Sequence, residues 1–125
     1  MQKHKITGIA GSVRSCIRSN EFLKLLNSCK GFDQLYELIY KLGGDKKISN
    51  SESLLMAALY GAMEMGMEIN HVKVDDFFSK HKSKSAILTE MAKILENTKG
   101  IIISSPVYFG DRTSLIAEWL NYMKI

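Results

Sequence analysis

Cysteine is scarce in this chain, with only Cys16 and Cys29 among 125 residues. Two thiols cannot complete a four-cysteine iron–sulfur site within one chain. They form no C-x-x-C pair, so a dithiol redox motif is unsupported as well. Both read as reduced bystanders, although Arg14 and Arg18 stand close enough in sequence to activate the Cys16 thiol. His4, His71 and His81 are scattered without metal-ligand spacing, and no metal is assigned. There is no G-x-S-x-G elbow, no Cys/His neighbourhood and no P-loop lysine, so no nucleophile–base constellation is expected. Long apolar runs are also missing: nothing approaches the ~20 residues that span a bilayer. The opening MQKHKITG lacks the apolar centre of a signal peptide. A cytoplasmic protein with no membrane partner is therefore expected.

Charge of one sign does not dominate. The formal net charge is +4, and the one basic run, Lys80–Lys84 (KHKSK), has no interleaved aromatics. A nucleic-acid groove needs such stacking residues, so this run reads as a solvated loop and no nucleic-acid partner is expected. The 46% hydrophobic content suits a folded chain, and 125 residues suit one domain. No repeat or low-complexity segment interrupts it.

What is present is a set of strand–helix alternations with polar breaks. Ile6–Ala10 reads as a short apolar strand that stops at Gly11-Ser12-Val13-Arg14. Glycine there permits close backbone approach and a positive φ. The residues that follow offer a hydroxyl, backbone N–H groups and a guanidinium, which are the groups an anion needs where a strand ends. Ser19–Leu26 predicts a short helix capped by Ser19 or Asn20, and Phe32–Leu42 predicts a second, ended by Gly43-Gly44. Ser49 and Glu52 fit a capping box. The helix they open carries Leu55, Ala58, Leu59, Ala62 and Met65 on one stripe, with Gly66 at its end. Met63, Met65 and Met67 read as core residues at helical spacing.

Glu68–Val74 predicts a second strand, whose poor alternation suits a sheet edge. Asp75-Asp76-Phe77-Phe78 leaves it as an exposed turn. Adjacent aspartates rarely converge on one atom, so neither acid–base catalysis nor metal binding is read from them. Ser85–Lys99 predicts a helix ended by Gly100. Ile101–Ser105 predicts a third strand, its Ile-Ile-Ile run suiting burial on both faces. A last helix, capped by Asp111 or Thr113, carries Leu115, Ile116, Trp119, Leu120 and Met123 on one side. The alternation is α/β. In an open parallel sheet, ligands bind at the carboxyl ends of the strands. The loops after the first and third strands would thus share one site, with phosphate on the first and something planar on the second.

GSVR after the first strand, NSESLLMAALYGAMEMGMEI as helix and turn, and SPVYFGDRTSLIAEWL after a later strand resemble the flavodoxin-like NADPH-dependent FMN reductase group. That group includes flavin-binding NAD(P)H oxidoreductases and the iron–sulfur flavoproteins. The resemblance implies an open parallel sheet in strand order 2-1-3 within three α/β/α layers, with residues 15–48 as a helical insertion in a domain spanning 1–125. It implies FMN as cofactor and NADH or NADPH as electron donor. Ser12 and Arg14 would hold the FMN phosphate, joined by Asn50 and Ser51 at a helix N-terminus. Ser19 and Asn20 are the alternative contributors if 15–48 is no insertion. Pro106, Val107, Tyr108, Phe109 and Gly110 would border the isoalloxazine. Hydride transfer from a nicotinamide to the flavin needs no protein acid or base, so no catalytic residue is assigned. A flavodoxin-type electron carrier, or an interaction domain without cofactor, are the rival readings.

Family members run on for two further strands and helices. The chain is therefore expected to match their N-terminal part, with part of the flavin site outside it. Ile101–Ser105 would be left with an unpaired edge, and self-association is expected through that edge or the face around Trp119.

Overall fold

A computed structural model of the chain describes residues 4–13, 15–108, 111–112 and 114–123; the side chains of Val107, Tyr108, Asp111, Arg112 and Ser114 lie outside that description. The elements run β1 (Lys5–Ala10), α1 (Ser19–Ser28), α2 (Phe32–Gly44), α3 (Asn50–Glu64), β2 (Glu68–Lys73), α4 (Val74–Lys80), α5 (Lys84–Leu95), β3 (Thr98–Ser104), β4 (Val107–Tyr108), β5 (Asp111–Arg112) and α6 (Ser114–Met123). β1 pairs in parallel with both β2 and β3, giving the order β2-β1-β3, while β4 and β5 form a separate antiparallel pair. This is an α/β, flavodoxin-like arrangement.

Alternation along β1 divides the core. Ala10 joins a cluster with Phe22, Leu26, Leu35, Leu55, Met56, Leu59 and Tyr60 from α1, α2 and α3. Its neighbour Ile9 points the other way, to Val72, Phe77, Ile87, Met91, Ile116 and Trp119 from β2, α4, α5 and α6. Successive strand residues face opposite sides, so the sheet is the middle layer of three. Fully burying a large apolar side chain is worth ~1.5–3 kcal/mol. Trp119, at 0% exposure, does cover its face of the sheet.

Two glycines set the layer spacing. A Cβ on Gly8 would lie 2.7 Å from Leu59 Cδ1, so a larger residue there would push the leucines of α3 back from β1. A Cβ on Gly11 would lie 2.7 Å from Ile116 Cδ1 and 3.2 Å from the Ser104 carbonyl oxygen. Among the described residues the positive-φ positions are Lys46, Asn97, Gly31 and Gly66, and Gly11 is not one of them. Close approach, rather than a left-handed backbone, is what Gly11 supplies.

Several elements depart from their sequence reading. α1 is entered from Arg18, which caps it through no side chain; neither Ser19 nor Asn20 is the N-cap. α2 does close near Gly43-Gly44, but Lys46 adopts the left-handed conformation, while Lys46 N–H and Lys47 N–H bond back to Gly43 and Leu42. At α3 the same pattern uses the expected Gly66, with Gly66 N–H to Met63 and Met67 N–H to Ala62. The buried stripe of α3 runs through Glu52, Leu55, Met56, Leu59 and Tyr60, leaving Met65 78% exposed and Ala58 exposed. Val74 opens α4 instead of ending β2, and Phe77 is buried there, so the Asp75–Phe78 segment is helix and not a loose turn.

Gly100 does not end a helix. α5 stops at Leu95, Asn97 turns the chain at φ 63°, and β3 is already under way at Thr98, whose hydroxyl meets Thr7 Oγ1 at 2.9 Å. Gly100 instead pairs with Ile6, and a Cβ there would lie 2.9 Å from Ile6 Cδ1. The isoleucine run is not buried on both faces. Ile102 packs toward the α1–α3 layer, but Ile101 and Ile103, on the opposite face, are each 38% exposed. Asp111 lies in β5 rather than capping α6, and Thr113 falls outside the described residues. Among the described residues no helix is long and apolar enough to cross a membrane.

Candidate functional site

The carboxyl ends of β1 and β3 lie side by side. Gly11 N–H donates to the Ser104 carbonyl at 2.9 Å, extending the pairing one residue past β1. The loop after Gly11 is then fixed from the far side by the N-terminus of α3. Cys16 N–H donates to the Lys47 carbonyl at 2.9 Å, and Ser15 Oγ accepts from Ser49 N–H at 2.9 Å while donating to Ser49 Oγ at 3.3 Å. Ser49 Oγ in turn accepts from Glu52 N–H at 3.2 Å and meets Ser51 Oγ at 3.2 Å. The first loop and the helix start are thus a single hydrogen-bonded unit.

Half of the expected capping box is present. Ser49 caps Glu52 N–H, but the Glu52 carboxylate does not return to Ser49 N–H, because Ser15 already occupies that donor. Glu52 Oε1 turns instead to His71 Nε2 at 3.0 Å, while His71 Nδ1 meets Ser19 Oγ at 2.8 Å and its ring stacks on Phe22 with centroids 3.9 Å apart. The Glu52 and His71 side chains are both fully buried. A serine–imidazole–carboxylate chain therefore exists in the core, where the sequence suggested no such grouping. His71 and Glu52 stand nineteen positions apart in sequence, so only the packing of α3 and α1 on β2 brings them together. Its position ties α1 to both β2 and α3.

Of the residues expected to hold the cofactor, Ser12 is buried in the first loop, and Asn50 and Ser51 form the first turn of α3 beside it. An α-helix leaves its first N–H groups without intrahelical acceptors and carries partial positive charge there, so this end suits an anion. Arg14 lies outside the described residues. Ser19 and Asn20 open α1 directly after the first loop: Ser19 is engaged by His71, and Asn20 Oδ1 accepts from Glu21 N–H at 2.8 Å. Pro106 stands two residues past the end of β3, and Val107–Tyr108 pairs with Asp111–Arg112 as a short antiparallel ladder. Phe109 and Gly110, between its strands, lie outside the described residues.

Ser104 was missing from the sequence-based set. Its Oγ is buried without a hydrogen-bond partner among the described residues, at the point where the ends of β1 and β3 meet. Buried hydroxyls are normally satisfied, so an orphan at this junction marks a place for a polar group. Together with the serines and the positive N-terminal end of α3, the donor set fits a phosphate-bearing ligand. Among the described residues, no group of three or more His, Cys, Asp or Glu is placed to hold a metal ion.

An open parallel sheet in the order 2-1-3, with serines and a helix N-terminus gathered at its carboxyl end, defines a flavodoxin-like α/β protein. The family model for NADPH-dependent FMN reductase matches residues 39–124, and the chain belongs to that family. The match begins inside α2 and takes in all of α3, the Ser49–Ser51 turn and the β3 end; the GSVR loop precedes it. No curated protein and no solved structure matches the chain.

Proposed function

We propose that the chain is an FMN-binding, NAD(P)H-dependent oxidoreductase whose phosphate site is the first loop together with the start of α3. The observation that carries this reading is the Ser15–Ser49 connection, which ties the loop holding the buried Ser12 to the first turn of α3, Asn50 and Ser51 included. Ser12, Ser51 and Arg14 would hold the phosphate, the last as a bidentate partner. Pro106, Val107, Tyr108, Phe109 and Gly110 would border the ring system. When bound, the flavin supplies hydride acceptance from a nicotinamide and electron delivery onward. The chain's own part is to bind, orient and shield it, with no side chain moving a proton. In this reading α1 and α2, within residues 15–48, are an insertion that docks beside β2, and the protein works in the cytoplasm.

A second reading keeps FMN but makes the chain an electron carrier. Mixing the flavin-loaded protein with NADPH, then with NADH, separates the two: prompt bleaching of the flavin supports the oxidoreductase, and persistent colour supports the carrier. The basic balance, with a pI near 9.1, favours the oxidoreductase over a carrier of the acidic flavodoxin type.

Self-association belongs to the same proposal. β3 pairs only with β1 among the described residues, and Ile101 and Ile103 present a half-open apolar pair beside it. An unpaired edge with exposed aliphatics is a template for a second copy.

A further inference from the structure

The candidate flavin site occupies the carboxyl end of the sheet; a cavity of another character lies at the amino end. It forms where α3 closes in the run Met63-Glu64-Met65-Gly66-Met67. Gly66 takes φ 85°, its N–H bonds back to the Met63 carbonyl at 3.0 Å, and Met67 N–H bonds to the Ala62 carbonyl at 3.1 Å. A helix end folded back in this way sets the residue after the glycine beside the last turn. Met63 and Met67 thus line one cavity of about 320 Å³, while Met65 stays outside it at 78% exposure. Leu23 and Asn27, one turn apart on α1, form the facing wall, and Glu68 and Ile69 at the start of β2 complete it. Glu68 N–H donates to the His4 carbonyl at 2.9 Å, which fixes this strand start against the lead-in to β1.

No lysine, arginine or histidine lines this cavity, although the chain holds 17 Lys and Arg. Its one charged group is the Glu68 carboxylate, which enters no ion pair among the described residues. Such a lining selects a cation. The two thioethers decide which kind, because a neutral, polarisable sulfur is a poor ligand for magnesium or calcium and a good one for Cu(I). Packing alone does not account for the pair. Met63 leans on the core under α1–α3, but Met67 joins neither core cluster among the described residues, and both stay half-buried. The volume sits at the bottom of the ~300–1,000 Å³ range of organic-ligand sites, which suits an ion better than a ring system. We propose that this cavity binds Cu(I), with the Met63 and Met67 thioethers as its sulfur ligands and the Glu68 carboxylate balancing its charge. The site shares no residue with the first loop, the α3 start or the segment after β3, so it does not rest on flavin binding.

The test uses the full chain, isotope-labelled at the methionine methyl groups and titrated without oxygen with Cu(I) and, separately, with Ag(I) and Zn(II). Each methionine reports for itself, so metal held by Cys16 or Cys29 does not mask the readout. Saturable shifts of the Met63 and Met67 methyls with Cu(I) and Ag(I), and none with Zn(II), are expected, while the Met65 methyl stays still. Met63→Leu and Met67→Leu conserve volume and keep the fold. With free Cu(I) set by a bicinchoninate buffer, each should move the midpoint of the remaining methyl shift about tenfold higher, and Glu68→Gln should move both by a smaller step. Met65→Leu should leave the midpoint where it is. Three results would overturn the proposal: the Met65 methyl moving in step with the other two, a midpoint indifferent to either leucine, or copper taken up by the cysteines with the Met63 and Met67 methyls unmoved.

Discussion

Glu52 Oε1 and His71 Nε2 lie 3.0 Å apart with both side chains fully buried, the first on α3 and the second on β2. The pair sets two substitutions against each other. His71→Ala removes a stacked, buried ring and should cost about 3–5 kcal/mol, as large core truncations do. Glu52→Gln keeps an oxygen to accept from Nε2–H and should cost only about 1 kcal/mol. Urea denaturation of both variants checks this. Equal losses would mean that the carboxylate matters for its charge and not for its place as an acceptor.

Gly11→Ala should destabilise by about 1–3 kcal/mol, the usual cost of overpacking a filled site. Its new methyl would meet Ile116 and the Ser104 carbonyl, and the latter is backbone that cannot rotate away. Combined with Ile116→Ala, the total loss should be smaller than the sum of the two single losses in melting experiments, since the clash is relieved. Additive losses would place the strain elsewhere.

Burial pushes the Tyr60 phenol above its ordinary value, reinforced by the neighbouring Glu64. Its oxygen accepts from Gly31 N–H at 2.6 Å, which pins the link between α1 and α2. The sign follows from linkage. The unfolded chain loses this proton first, so the contribution is whole below about pH 10 and fades as pH rises through the folded value. Denaturation curves between about pH 8 and 11 should show that loss, and Tyr60→Phe should flatten it. An unchanged slope in the variant would remove Tyr60 from the account.

At tens of micromolar the wild-type chain is expected to sediment as a dimer, and Ile101→Lys with Ile103→Lys to shift it toward monomer. Those two side chains lie on one face of β3 at 38% exposure each, so the substitutions should cost little in a monomer. A wild-type monomer, or a dimer indifferent to both charges, would count against this edge.

Strand order and layering came with the family resemblance, whereas several individual elements were legible because they rest on local patterns. Ile6–Ala10, the Ser49 cap and the Gly66 stop each show themselves within a few residues, and the structure keeps all three. The β2 edge position was also readable from its irregular alternation. What failed was set by distant partners. Three consecutive isoleucines signal a buried strand, yet burial depends on what covers each face, and nothing local reports that. Gly100 carries the same letter in a helix stop or a close strand crossing; the choice was made by Ile6 across the sheet. In the candidate site, the serines of the first loop and the α3 start could be named from sequence. Ser104 and the His71 chain could not, since their meaning comes only from neighbours brought together by folding.

The central claim is that the first loop and the α3 start hold a flavin phosphate. Titrating the chain with FMN and, separately, with riboflavin tests it most directly, because only FMN carries the phosphate. Quenching of flavin fluorescence should show FMN binding at least about tenfold tighter, a difference of ~1.4 kcal/mol, and Arg14→Ala should erase most of that margin. Equal affinity for the two flavins, or no quenching by FMN, would contradict the account.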